Sequence, residues 1–272
     1  MSFVQPGYRK AMFIPKSSYL GHHAELYDLF YAEKPYAQEA SFVDGIIQAH
    51  RPGSVRLLEL ACGTGTHSLL LEKRGYQIIA TDYSTDMLAC AQGKAQAQNS
   101  HVDFRQQDMR DLNISEIPFD AVVCLFDSLG YVATNESILQ VLNGVNRHLA
   151  ANGLFVFEFW HAGAMLRSYD PLRVRRFVTP HGEIERVSET SIDYREQLCH
   201  VTYTIHEFGT DGTYHTMRET QINRFFLLQE MNFFLQQAGL HPLQWFSGFH
   251  EDETINEDTW HIVGVARKEK EV

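Results

Sequence analysis

One stretch constrains the fold more than any other: Leu57-Leu-Glu59-Leu-Ala61-Cys-Gly63-Thr-Gly65-Thr66-His-Ser68-Leu-Leu-Leu71. Leu57, Leu58 and Leu60 read as a buried parallel strand, and Leu69 to Leu71 as the start of a helix that Gly75 can end. Between them Gly63 and Gly65 lack the Cβ that keeps backbone away from a ligand. A strand that breaks into a glycine turn opening a helix predicts an open α/β sheet with a ligand loop at its carboxyl edge.

A dinucleotide fingerprint requires G-x-G-x-x-G, with a helix N-terminus that receives a pyrophosphate. Here the third glycine is replaced by Ser68, and Glu59 stands just before the loop, where its charge opposes a diphosphate and suits an ammonium group. The arrangement E-x-x-x-G-x-G resembles the first motif of class I S-adenosylmethionine (SAM) methyltransferases. That resemblance implies Glu59 beside the methionine amino group, with the turn through Ala61, Gly63 and Gly65 passing under the ribose.

At 272 residues and 44% hydrophobic content, the chain suffices for one large domain or a domain with a subdomain. Its 34 acids against 23 bases give a formal charge of −11, which argues against a nucleic-acid partner and favours a neutral or cationic small molecule. Cys62, Cys90, Cys124 and Cys199 are widely spaced without C-x-x-C, so neither a metal site nor a disulfide framework is expected, and a reduced cytoplasm is. No apolar leader or membrane-spanning run is read in the chain.

Two periodic regimes divide the sequence. From about 37 to 160, apolar runs at Val55–Leu60, Gln77–Thr81, Val102–Gln106, Asp120–Phe126 and Leu154–Phe159 alternate with helical patterns, predicting βαβ units. From about 172 to 226 the pattern alternates polar and apolar over Leu172–Val178, Glu183–Ile192, Gln197–Phe208 and Thr213–Asn223. Pro180-His-Gly182 and Thr210-Asp-Gly212 serve as hairpin turns there. A helix over Leu228–Ala238 and strands at Leu243–Phe249 and Trp260–Arg267 follow. The expectation is a seven-stranded, mostly parallel, doubly wound sheet with an antiparallel β insertion after the fifth strand. Residues 1–36 form a cap over the cofactor, 37–166 and 227–272 the core, and 167–226 an insertion serving as acceptor lid, dimer contact or both.

Further candidates fall at the strand ends. Asp82, closing the second strand next to Tyr83, is placed to accept both ribose hydroxyls; Ser84 reads as a helix N-cap and Met87 as a first-turn residue over the purine. Asp108 can accept the adenine amine while the backbone N–H of Met109 donates to the ring; Arg110 and Asp111 are read as surface charge. The fourth strand turns polar after Leu125, where Asp127, Ser128 and Tyr131 face the transferred methyl, and Cys124 is core. No N-P-P-Y or D-P-P-Y follows, so a nucleobase or glutamine amide is not the expected acceptor. The fifth strand ends in Trp160, an acceptor contact, and His161, the candidate proton acceptor.

Together, Tyr27-Asp-Leu-Phe-Tyr31, Lys34-Pro-Tyr36-Ala-Gln-Glu-Ala40, Leu60-Ala-Cys-Gly-Thr-Gly-Thr-His67, Gln107-Asp-Met-Arg-Asp111 and Gly130-Tyr131 resemble, in the same order, the nucleotide-aminosugar N,N-dimethyltransferases of desosamine and mycaminose type. The chain departs from that pattern at Thr81-Asp82, where some relatives carry Glu, and at Glu158-Phe-Trp-His161, in place of Glu-Pro-Trp-Trp. The resemblance implies an N-terminal helix over the cofactor, with Tyr27, Tyr31 and Tyr36 touching SAM or the acceptor and Tyr27 a catalytic candidate.

These readings converge on direct methyl transfer from SAM, with S-adenosylhomocysteine as product, to a small molecule. An amine acceptor is favoured, and a hydroxyl stays open. An NAD-dependent oxidoreductase is disfavoured by Glu59 and Ser68, and an inactive SAM-binding partner subunit is the remaining alternative.

Overall fold

The computed structural model describes Tyr19 and residues 21–269. Of the expected N-terminal cap, residues 1–18 and 20 lie outside the described residues.

Strands β1 (Arg56–Leu60), β2 (Gln77–Asp82), β3 (Asp103–Gln106), β4 (Phe119–Cys124) and β5 (Leu149–Trp160) run parallel; β10 (Leu240–Ser247) and β11 (His261–Lys268) complete a seven-stranded sheet ordered β10-β11-β5-β4-β1-β2-β3. Only the pairings of β11, with β5 and with β10, are antiparallel in this sheet. Order reverses beside β1, and the crevice at the carboxyl edge there is where open α/β sheets bind ligands.

The apolar runs in β1, β4 and β5 are continuous because both faces of the sheet are covered. On one face Leu58, Val122 and Phe157 pack against α5 (Asn135–His148) and α7 (Leu228–Gln237). On the other, Leu57, Val123 and Val156 meet α2 (Tyr36–His50), α3 (Thr66–Glu72) and α4 (Thr85–Gln98). Cys124 is fully buried in the first of these layers.

Two boundaries differ from expectation. Strand β5 begins at Leu149, before the Asn152-Gly153 step, and its register against β4 shifts between Phe119 and Ala121. Strand β10 starts directly after Gly239, whose φ of 67° turns the chain out of α7.

After β5 and the short α6 (Ala162–Ser168), the chain forms a second, antiparallel sheet: β6 (Leu172–Thr179), β7 (Gly182–Asp193), β8 (Leu198–Gly209) and β9 (Tyr214–Arg224). Helix α1 (His22–Phe30) lies between the two units. Leu26 and Phe30 pack on Ile184 and Ile205 of the antiparallel sheet, while Ala24 and Tyr27 pack on Met87 of α4.

Candidate active site

The turn after β1 is held by its own side chains. Gly63 and Gly65 have φ of 56° and 75°, and Asp82 at the tip of β2 accepts the Gly63 N–H at 2.8 Å and the Ser84 N–H at 2.8 Å. A Cβ on Gly65 would lie 2.7 Å from the Phe104 ring and 3.1 Å from Ala91, whereas one on Gly63 meets nothing closer than Met87 at 3.7 Å. Gly63 lines the cleft; Gly65 lies behind it and serves the packing of α3 against β3.

Ser68 is fully buried, and its hydroxyl donates to Glu59. The residue that breaks the dinucleotide fingerprint therefore orients the acid. Burial pushes the Glu59 carboxyl up; His67 and the Ser68 hydroxyl oppose that, and Asp82 adds to it. Burial also raises Asp82, against the N–H groups that stabilise its charge. Ser84 caps α4, accepting the Met87 N–H at 3.3 Å.

Asp108 caps the 3-10 turn Met109–Asp111 and is gripped by Arg110, whose Nε lies 2.9 Å and 3.0 Å from its two oxygens. Burial opposes ionisation, but the Arg110 hydrogen bonds and charge outweigh it and hold the Asp108 carboxyl below its ordinary value. Arg110 is thus a cleft-lining partner of Asp108, not a solvated surface charge.

These groups share one cleft of about 550 Å³, which also takes in Ala61, Tyr83, Met87, Met109 and Leu125. Tyr27, Tyr31 and Tyr36 line it from α1, the segment after it and the start of α2. Two contacts tie α1 to the glycine turn: Thr64 donates to Asp28 at 2.6 Å, and Lys94 reaches Asp28 at 2.8 Å and Thr64 at 2.9 Å.

The other end of the cleft contains Asp127, Ser128, Tyr131 and Trp160. Tyr131 donates to Gln221 of β9 at 3.1 Å and meets the Tyr19 hydroxyl at 3.3 Å. Burial drives Tyr27 and Tyr131 above the ordinary phenol range, so both remain neutral hydrogen-bonding groups near neutral pH.

His161 is buried, its Nδ1 3.1 Å from the Thr259 carbonyl, and it does not line the cleft. His67 lines the cleft beside the glycine turn; at this end the imidazole that lines it is His261, at the start of β11. Its Nδ1 lies 2.9 Å from Asp127 and 3.3 Å from Glu158, and Glu158 also accepts the Phe126 N–H at 2.6 Å. Burial lowers the His261 imidazole, but the two carboxylates outweigh it and hold it well above its ordinary value. Burial pushes Asp127 up to about 6, against the pull of His261. One ligand atom from each of Asp127, Glu158 and His261 falls within 4.8 Å of the others, close enough to hold a cation, although Nδ1 is already engaged by the carboxylates.

Sequence reasoning missed His261 and the cleft residues of the insertion, notably Arg173, Arg175, Arg186 and Ser188. The spacing Arg173-Val-Arg175 was a usable signal, since alternate strand residues share a face.

Residues 57–153 match the methyltransferase domain family. Over 246 residues, 89% of this chain and 96% of the relative, the sequence is 30% identical to a putative methyltransferase of Geobacillus sp. (strain WCH70). It is 36% identical over 140 residues, 51% of this chain, to the dTDP-3-amino-3,4,6-trideoxy-alpha-D-glucopyranose N,N-dimethyltransferase of Streptomyces venezuelae, and 36% identical over 135 residues, 50% of this chain, to the putative methyltransferase YqeM of Bacillus subtilis (strain 168). Those matches reach 57% and 53% of the two proteins, so the chain spans about half the length of these curated relatives. The crystal structure of Streptomyces venezuelae DesVI superposes with a TM-score of 0.75 at 25% identity, covering 90% of this chain and 99% of that one. With a glycine turn, strand-tip acids and strand order that agree with this nearly full-length likeness, the chain belongs to the SAM-dependent methyltransferase family.

Proposed function

We propose that the protein transfers a methyl group from SAM to an amine nitrogen of a small-molecule acceptor by in-line displacement. One observation carries the reading: a single cleft joins Glu59, Asp82 and Asp108 at three successive strand tips to the tyrosine-lined end that holds Asp127. SAM supplies an electrophilic methyl on a sulfonium. Glu59, oriented by Ser68, suits the amino group of its methionine part; Asp82 retains lone pairs for ribose hydroxyls, and Asp108, engaged by Arg110 on both oxygens, keeps one acceptor site for an adenine amine.

At the acceptor end Tyr27 and Tyr131 position the nucleophile as neutral phenols, with Ser128 and Trp160 beside it. An amine attacks only without its proton, and Asp127, raised to about 6, is matched to accept one near neutral pH. With Asp127 ionised, the ion-paired trio of Asp127, Glu158 and protonated His261 carries a net negative charge, which draws a protonated acceptor amine to this end before its proton passes to Asp127 and the trio becomes neutral. The antiparallel sheet acts as lid over this end, so that alignment and exclusion of water do most of the catalysis.

The amine assignment draws on the Streptomyces venezuelae relative, whose name specifies N,N-dimethylation of an aminosugar nucleotide. Incubating the protein with labelled SAM and small-molecule extract of its own source, then identifying the labelled product, tests it. Label on a basic nitrogen is expected; label on a hydroxyl oxygen, or no calorimetric binding of SAM, overturns it.

A further inference from the structure

The cleft continues under the antiparallel sheet, and there its character changes. Strands β6 and β7 present Arg173, Arg175, Arg186, Ser188 and Thr190 to it. The register sets Arg175 directly opposite Arg186 and Arg173 opposite Ser188. Like charges directly opposed across an antiparallel pair repel, and such a pair is ordinarily relieved by a neighbouring acid. Arg173 has one, with Asp170 at 3.3 Å. The side chains of Arg175 and Arg186 have no ion pair or hydrogen bond among the described residues. In a chain with 34 acids to 23 bases, two opposed arginines without a carboxylate are conspicuous.

Arg186 is the more telling of the two. It is 6% exposed, and its Nε has no hydrogen-bond partner. Its guanidinium carbon lies 4.7 Å from the Phe30 ring centroid and 5.4 Å from those of Tyr31 and Tyr203. Ring faces attract the charge but leave the five in-plane N–H donors of a guanidinium without acceptors. A buried cation held by aromatics, with its donors unspent and a second arginine opposite, lacks an anion.

We propose that this end of the cleft is an oxyanion site, in which Arg175 and Arg186, with the Ser188 hydroxyl, hold a carboxylate or phosphoryl group carried by the methyl acceptor. It rests on the reading of the cleft as a methyl-transfer site, and adds that the acceptor has an anionic end remote from its nucleophile. Bidentate guanidinium contacts to such a group fix its orientation as well as its position. The site then does what a lone apolar pocket cannot: it draws one end of the acceptor beneath the sheet and leaves the nucleophile at the tyrosine-lined end.

The test is direct binding by the full chain without SAM. Calorimetric titrations with inorganic pyrophosphate and with succinate are compared for the wild type, R175Q, R186Q and R186K. At least one probe is expected to bind the wild type, roughly tenfold or more weaker to R175Q and R186Q, with R186K in between. Preference for pyrophosphate identifies a phosphoryl group, and preference for succinate a carboxylate. Arg175 is exposed, so R175Q decides the matter even if loss of buried Arg186 impairs folding. No binding of either probe at millimolar concentration, or equal affinity in R175Q and wild type, overturns the proposal. SAM titrations run in parallel keep the two readings separable: absent probe binding in the wild type, with SAM still bound, condemns the oxyanion site alone, and absent SAM binding in the wild type condemns the methyl-transfer reading.

Discussion

The imidazole Nδ1 of His261 lies 2.9 Å from the carboxylate of Asp127, and Glu158 approaches the same nitrogen at 3.3 Å. Both carboxylates are buried, while the imidazole is 42% exposed. Removing it with H261Q leaves two neighbouring acids with one cation fewer. Losing one member of a fully buried pair is strongly destabilising, but solvent screens this one, so a loss of about 1–2 kcal/mol is expected. The sign with pH follows from the imidazole's raised affinity for its proton. Its contribution is complete below the ordinary value of 6.5 and disappears as pH rises through the raised one. Thermal melts should therefore show the gap between wild type and H261Q closing in alkali as the imidazole loses its proton, and narrowing below about pH 6 as Asp127 gains one; a gap independent of pH would contradict the ion pair.

Asp127 gives the pH dependence of turnover. If its carboxylate takes the proton of the acceptor, protonating it near pH 6 should remove activity on the acid side. The rate profile of the wild type should fall below about pH 6, and D127N should be slower throughout and lack that limb. An acid limb surviving in D127N assigns the titration to another group.

Why His261 escaped a sequence reading, when His161 did not, is a matter of register. Strand β11 lies antiparallel to β5 with His261 directly opposite Trp160, and residues so opposed share a face. Trp160 faces the cleft, so His261 does too, and His161, one position further on, turns away to the Thr259 carbonyl. The pairing joins residues about a hundred positions apart, which no local pattern records. By contrast, Glu59, Gly63 and Asp82 were legible because strand, turn and strand tip are contiguous or separated by a single helix. Arg175 and Arg186 fall between these cases. The hairpin at Pro180–Gly182 fixes their register locally, but the burial of Arg186 and the pair's lack of an acid partner depend on α1 and on the rest of the antiparallel sheet.

The Ser68–Glu59 hydrogen bond predicts a graded loss of SAM affinity. E59Q removes the charge that suits an ammonium group and should weaken binding by roughly tenfold or more, about 1.4 kcal/mol. S68A keeps the charge but strips a donor from a buried carboxylate, which costs about 1–3 kcal/mol of stability and relaxes its aim. Calorimetry should rank SAM affinity wild type, then S68A, then E59Q. Unaltered affinity in E59Q would remove Glu59 from the cofactor site.

Gly130 couples the two sheets. A Cβ there would lie 1.9 Å from the Asn223 Oδ1 and 2.6 Å from the Arg224 carbonyl, while the Asn223 amide donates to the Asp127 carbonyl at 3.1 Å. G130A must push β9 off the loop that carries Asp127 and Tyr131, with an overpacking cost of about 1–3 kcal/mol. Denaturant melts should report that loss. If the insertion serves only the acceptor end, SAM affinity should change less than turnover; an equal fall in both would mean that the displacement reaches the glycine turn.

Gly65 and Gly63 look interchangeable in the sequence, and their surroundings separate them. G65A places a methyl 2.7 Å from the Phe104 ring at a φ of 75°, which combines a clash with backbone strain. G63A meets only the flexible end of Met87 at 3.7 Å, so it incurs the strain of its φ of 56° without the clash. Gly63 faces the cleft, and its methyl takes space from whatever binds there. G65A should therefore lose more stability, by about 1–3 kcal/mol from overpacking, and G63A more SAM affinity per unit of stability lost. The double variant G65A/F104L, with a smaller and more adaptable side chain beside the new methyl, should recover part of the stability lost in G65A, whereas F104L should do nothing for G63A. Failure of that rescue would leave the strained backbone, and not the Phe104 contact, as the reason for glycine at position 65.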